Sequence, residues 1–226
     1  MPRNKRLRLP DKLVVIPNAD KDHQETWTQK RRKWNIPMMR GVLIGRPNSG
    51  KTLIVKNLIL HQDPPFEEIV IVHCDPETKE YDDIDADILT EIPDPTEWSG
   101  NDVKTLCILD DLNYTGISKE QKKNLDRLFG YVSSHKNVAV LLTSQDPFVV
   151  PTNVRRMANL WILWKQEDMA TVATVARRAG YNRKDFQEMF ALLKTQHDSL
   201  WLDLTPHSPY PLRLNGDTII QKVAPE

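Results

Sequence analysis

The residues Gly45-Arg46-Pro47-Asn48-Ser49-Gly50-Lys51-Thr52 fit the pattern G-x-x-x-x-G-K-[ST] at every position. Each residue type has a job in holding phosphate. Gly45 and Gly50 allow backbone angles and a close approach that a Cβ would forbid. Successive backbone N–H groups of the loop, backed by the positive end of a following helix, then face the anion. Lys51 can bridge β- and γ-phosphates, and the Thr52 hydroxyl can ligate magnesium. About 60 residues further on, Thr105-Leu106-Cys107-Ile108-Leu109 runs into Asp110-Asp111. Asp110 would hold the magnesium through water, and Asp111 would act as general base on an attacking water. A third polar end follows Val138-Ala139-Val140-Leu141-Leu142, at Thr143-Ser144-Gln145. Gln145 there reads either as a sensor of the γ-phosphate or as a plain polar strand terminus.

These groups must be positioned by a sheet. Short apolar runs at 38–44, 69–74, 105–109, 138–143 and 160–164 read as buried strands. Helical spacing fills 51–60, 118–134 (with Ser118 as cap), 154–158, 168–179 and 184–195. A weaker strand is expected at 88–92, and 199–204 with 211–214 reads as a hairpin-like pair closing the sheet. Strands alternating with helices predict an α/β fold with a mostly parallel central sheet. In such sheets ligands bind at the carboxyl ends of the strands, where the phosphate loop, Asp110-Asp111 and Gln145 all fall. A paired acid favours hydrolysis that drives motion over phosphoryl transfer to a small acceptor, which needs no base for water.

Composition bounds the rest. The chain has 226 residues with 31 basic and 31 acidic side chains. Residues 1–40 hold eleven Lys/Arg against four Asp/Glu, whereas residues 67–102 hold thirteen acids against Lys79 alone. The basic arm, 1–35, reads as a contact to a phosphate-bearing partner or as a solvated tail; 36–226 reads as one domain. Trp27 and Trp34 bracket its second basic cluster and either pack against the domain or stack on bases. No run reaches the ~18 apolar residues of a membrane span, and no apolar stretch follows the basic N-terminus as in a secretory signal. Cys74 and Cys107 lie in strand-like runs and are expected to be reduced core thiols; two cysteines without paired spacing cannot build a zinc site.

Six residues after Gln145 begins Pro151-Thr152-Asn153-Val154-Arg155-Arg156, which puts Arg155 ten residues on. An arginine here is a candidate to reach a neighbouring subunit's γ-phosphate, or a surface ion pair. The ordered set of residues 45–52, Leu109-Asp110-Asp111, Thr143-Ser144-Gln145 and Pro151…Val154-Arg155 resembles the viral DNA-packaging ATPases of the FtsK/HerA superfamily. The likeness is to the poxvirus-type branch shared with virophages, over about 38–215. The resemblance implies a RecA-like P-loop NTPase that forms a homo-oligomeric ring and uses ATP and Mg2+ to pump double-stranded DNA into a preformed capsid. By matching position it implies phosphate and magnesium binding at Lys51 and Thr52, the second acidic motif at Asp110 and Asp111, the sensor at Gln145 and the arginine at Arg155. It further implies capsid or portal-like vertex partners, no membrane, and work inside the host cell at the assembly site or with the virion. An acid at the position of Asp111 is often Glu in such ATPases. The rival readings are a viral helicase acting on single strands, a nucleotide or small-molecule kinase, and a non-catalytic nucleotide-binding scaffold. Arg177, Arg178 and Arg183 offer the kinase reading its lid.

Overall fold

The structure, a computed structural model, describes residues 32–36, 38–98, 103–165, 173, 175–177 and 180–220. The arm before residue 32, with Trp27 and Arg31, lies outside the described residues, as does most of the helix expected at 168–179. Ala173 and residues 175–177 of that span are helical.

In chain order the elements are β1 (Arg40–Ile44), α1 (Lys51–Leu60), β2 (Glu68–Val72), β3 (Asp87–Leu89), a 3-10 turn (Pro95–Trp98), β4 (Thr105–Leu109) and α2 (Lys119–Arg127). Then follow β5 (Val138–Ser144), α3 (Thr152–Met157), β6 (Leu160–Trp164), α4 (Arg183–Phe190), β7 (Ser199–Asp203), β8 (Leu212–Leu214) and β9 (Thr218–Ile219). One nine-stranded sheet runs in the order β3-β2-β4-β5-β1-β6-β7-β8-β9. Its first six strands pair in parallel, and β7 to β9 extend it antiparallel. The α/β, mostly parallel expectation holds. The closing pair is also as expected, except that β9 adds a further edge.

Every residue of β4, β5 and β6 is buried, because both sheet faces are covered. Alternate side chains feed two cores. Leu43, Ile71, Ile108, Leu141 and Trp164 point to one, against Val55 and Leu58 of α1 and against Tyr81. Ile44, Val72, Leu109, Leu142 and Leu163 point to the other, against Leu125 of α2, Val154 of α3 and Phe186 of α4. α1 therefore lies on the opposite face from the later helices, and the carboxyl ends of β1, β4 and β5 meet between the layers.

Three expectations need correction. The span 118–134 is not one α-helix. Ser118 does cap it, accepting from Gln121 N at 3.1 Å, but α2 ends at Arg127 and runs through a π-helical turn (Leu128–Val132) into a last turn (Ser133–His135). The carbonyl-to-amide step widens there while the apolar side chains Leu128, Phe129 and Val132 stay buried, so the side-chain pattern alone does not show it. The strand at 88–92 is short and earlier, over Asp87–Leu89, since only three residues reach β2 before the chain turns to Pro93. Cys107 is a buried free thiol, whereas Cys74 is free and exposed: β2 stops at Val72, so Cys74 lies past the sheet edge.

Candidate nucleotide-binding site

The phosphate loop starts where β1 stops. Gly45 N donates to the Ser144 carbonyl at 3.0 Å, which ties the loop's first residue to β5. A Cβ at Gly45 would come within 2.9 Å of the Trp164 ring, so the glycine is required by close packing against β6. Gly50 caps α1 in the left-handed region at φ 103, and Asn48 joins it there at φ 59. Lys51 is the first residue of α1 and half-buried. Its Nζ donates to the Gly45 carbonyl at 2.8 Å and to the Arg46 carbonyl at 3.2 Å, which folds the lysine over the loop. The Thr52 hydroxyl donates to Glu80 at 3.1 Å.

β5 lies between β1 and β4, and its polar end joins all the parts. The Thr143 hydroxyl donates to Asp110 Oδ1 at 2.5 Å and accepts from the Asp111 backbone N at 3.0 Å. The Tyr81 hydroxyl donates to Asp110 Oδ2 at 2.8 Å. Both carboxylate oxygens of the buried Asp110 are thus held, each with a lone pair left over. Asp111 sits in the left-handed region at φ 47, which turns its exposed carboxylate away from the core. Gln145 Nε2 donates to that carboxylate at 2.5 Å.

The result is a cleft of about 510 Å³ lined by Pro47, Asn48, Gly50, Lys51 and Thr52 with His73, Glu80, Asp110, Asp111 and Gln145. Of the expected loop residues, Gly45 and Ser49 are buried beneath it and Arg46 is exposed outside its lining. Arg155 does not line it either. That side chain leaves α3 half-buried, with Nη2 donating to Thr152 at 3.1 Å, while Arg156 is exposed. Burial lowers the proton affinity of Lys51, and the carboxylates of Asp111, Asp110 and Glu80 partly restore it. Burial, and then the Asp110 charge, push the Tyr81 phenol far above its ordinary range, so Tyr81 stays a donor.

No family model matches the chain, and no curated protein matches it in sequence. Solved structures share its architecture. The genome packaging NTPase B204 of Sulfolobus turreted icosahedral virus 2, in complex with AMPPCP, superposes with a TM-score of 0.56 at 16% identity, over 81% of this chain and 98% of that one. B204 of Sulfolobus turreted icosahedral virus, the DNA-packaging ATPase, gives 0.56 at 16%, over 77% and 95%. The cytoplasmic domain of the Thermomonospora curvata Type VII secretion ATPase EccC gives 0.54 at 14%, over 82% of this chain and 26% of that one. The fold is that of the P-loop NTPases.

Within this P-loop fold two cleft residues, His73 and Glu80, had escaped the sequence reading, as had the buried Tyr81 that holds Asp110. His73 follows the apolar end of β2 as Asp110 follows that of β4, so the same signal pointed to it. Glu80 and Tyr81 sit in the acidic segment, where one more carboxylate carries no mark. Trp34 settles one alternative. It packs edge-on against Trp201 at 4.6 Å and stacks on His61 at 5.3 Å, so it pins the chain to the domain. Among the described residues, no helix is long and apolar enough to cross a membrane.

Proposed function

We propose that this chain is an ATPase that moves double-stranded DNA, and that its task is to package a viral genome into a preformed capsid. The observation that carries the reading is the meeting of Lys51, Thr52, Asp110, Asp111 and Gln145 in one cleft. Support comes from a fold shared over most of both chains with a genome packaging NTPase.

The chain's own groups divide the work. The loop amides of 45–52 and Lys51 bind the phosphates of ATP. Asp111 accepts a proton from the attacking water, and Gln145, already bonded to Asp111, orients that water. Tyr81 and Thr143 fix Asp110, so its free lone pairs keep one direction. Among the described residues no group of three or more His, Cys, Asp or Glu can hold a metal unaided. The oxygen donors of Thr52 and Asp110 do fit magnesium, which takes few protein ligands beside substrate phosphates and water. When bound, it would neutralise charge developing on the phosphates. Arg155 serves the cleft of a neighbour in a homo-oligomeric ring, where one guanidinium contributes about 10³–10⁵ in rate. The remaining partners are duplex DNA and capsid or portal-like vertex proteins, at the viral assembly site in the host cell or with the virion.

The deciding experiment measures ATP turnover by the full chain alone, with duplex DNA, with single-stranded DNA or RNA, and with candidate phosphoryl acceptors. Phosphate release to water, raised by duplex DNA and abolished by Lys51→Ala, is the expected result. Transfer to an acceptor, or stimulation by single strands alone, overturns the reading. Mixing Arg155→Ala with Lys51→Ala should restore part of the activity, because a mixed interface joins an intact loop to an intact arginine. No rescue removes Arg155 from the mechanism.

A further inference from the structure

We propose that the outward face of α2 is the surface on which this chain grips the phosphate backbone of duplex DNA. The inference rests on the DNA-moving reading above and supplies the contact site that it lacks.

Lys119, Lys122, Lys123, Asp126 and Arg127 recur at helical spacing along one face of α2, while Asn124 and Leu125 on the opposite face are buried. With Tyr131 from the π-helical turn they line a shallow groove of about 530 Å³. Four cations there face one carboxylate. That carboxylate, Asp126, accepts from Asn153 Nδ2 of α3 at 3.4 Å, and Arg127 lies 3.8 Å from Asp94. Among the described residues, no side-chain hydrogen bond or ion pair engages the ammonium groups of Lys119, Lys122 or Lys123. Among these residues Lys119 and Lys122 have no carboxylate partner, and only Asp94 faces Lys123 and Arg127, so the stripe keeps an excess of exposed positive charge suited to a polyanion. Residues 67–102, by contrast, carry thirteen acids against one lysine, and they reach this face at Asp94. A DNA-moving domain with that field must hold its polymer on a local basic face.

The dimensions also suit a duplex. From Lys119 to Arg127 the helix rises about 12 Å at 1.5 Å per residue. Laid along the duplex axis, that length covers the rise of three to four phosphates of one strand, at about 3.4 Å of axis each. Tyr131 is 59% exposed, with its ring stacked on His135 at 4.7 Å, which leaves the hydroxyl as a phosphate donor rather than the ring as a base platform. The face is wired to the cleft from both sides. The loop after Asp111 leads directly to the Ser118 cap of α2, and Asn153 ties Asp126 to the helix that carries Arg155. Force on α2 is therefore applied between the proposed base and the proposed trans arginine.

The test uses the full chain and a short mixed-sequence duplex, followed by fluorescence anisotropy across a salt series. Lys119→Ala, Lys122→Ala and Lys123→Ala combined should weaken binding about tenfold at low salt and cut the log–log salt slope by about 3. Alanine suits an exposed helix, so the fold should persist, and ATP turnover without DNA should be unchanged because none of the three lines the cleft. The matching Lys→Arg triple variant should restore affinity and slope. Unchanged affinity and slope in the alanine variant, with wild type binding normally, overturns this inference alone. A smaller particle without DNA at equal protein concentration also overturns it, because the face would then be a subunit contact. Failure of the wild-type chain to bind any duplex instead overturns the DNA-moving reading beneath it.

Discussion

Two regions of the sheet each bury a charged group, and they do so to different ends. At the carboxyl ends of β4 and β5, Asp110 is buried and held by two hydroxyls, yet it lines an open cleft beside a lysine, a second carboxylate and a glutamine. At the antiparallel edge, Arg213 of β8 is fully buried, with its guanidinium 4.9 Å from the Trp201 ring. Its Nη1 donates to the Lys33 carbonyl, and to the Gly216 carbonyl at 3.1 Å. Around it Trp34 Nε1 donates to Asp217 at 3.0 Å, and Gly216 sits at φ 79 under the Trp34 ring, where a Cβ would come within 2.5 Å. The arginine closes a plug that seals the segment 32–36 onto the sheet, and it lines neither of the two clefts described above. A buried charge is thus not in itself a sign of chemistry. What separates the two is whether the group's remaining bonding capacity faces a space that a substrate can enter.

The sharpest way to break that comparison is Asp111→Asn. Turnover should fall about 10²–10⁴-fold while ATP stays bound and Tm barely moves. Glu80→Gln measured beside it should lose far less; the reverse ranking would transfer the base to Glu80. At the other region, Arg213→Met keeps the stem and deletes the donors. It should destabilise by about 3 kcal/mol, seen as a lower thermal midpoint, with turnover per folded molecule unchanged. A loss of activity at full folding would make the edge part of the machinery. Tyr81→Phe removes one of the two hydroxyls on Asp110 and should lower kcat roughly threefold to tenfold, with stability little altered, because Thr143 still holds the other oxygen. The smallest effect concerns Lys51. Burial depresses its proton affinity in the free site, so raising pH strips its charge before the ordinary lysine range near 10.4 is reached. Affinity for ATP should weaken as pH rises through that depressed value, with proton uptake on binding, measurable by calorimetry in buffers of different ionisation heat. Lys51→Arg should flatten the profile.

Much of the cleft was legible because each part lies where an apolar run ends in polar residues. The loop at 45–52, Asp110-Asp111 and Gln145 follow β1, β4 and β5 in that way, and the structure brings them together. β4 and β6 occur over the residues read as strands, since their uninterrupted apolar runs, of four and five residues, are too short for a buried helix and fit a strand covered on both faces. The order of the strands was not legible: which parallel neighbours pair depends on helices covering both faces, and no local pattern encodes it. Tyr81 was hidden for a related reason. Its burial against α1 and its bond to Asp110 span 29 residues of chain, through a segment whose composition reads as solvated loop. Cys74 shows the opposite error. Its neighbours are apolar on one side only, and two residues past the end of a strand suffice to expose it.

The placement of β5 has one further consequence. Three successive residues at its end tie together two separate parts: Thr143 bonds Asp110 and the Asp111 amide, Gln145 bonds the Asp111 carboxylate, and between them the Ser144 carbonyl accepts from the Gly45 amide of the loop. A strand slipped by one residue would turn Thr143 to the opposite face and undo all of these bonds at once, although the all-apolar run before it would still be buried on both sides. Burial therefore tolerates an alignment error that chemistry does not. In refolding from denaturant, recovered turnover per compact molecule would act as a gauge of sheet alignment, reporting on a few ångströms of strand position that circular dichroism and hydrodynamic radius do not sense.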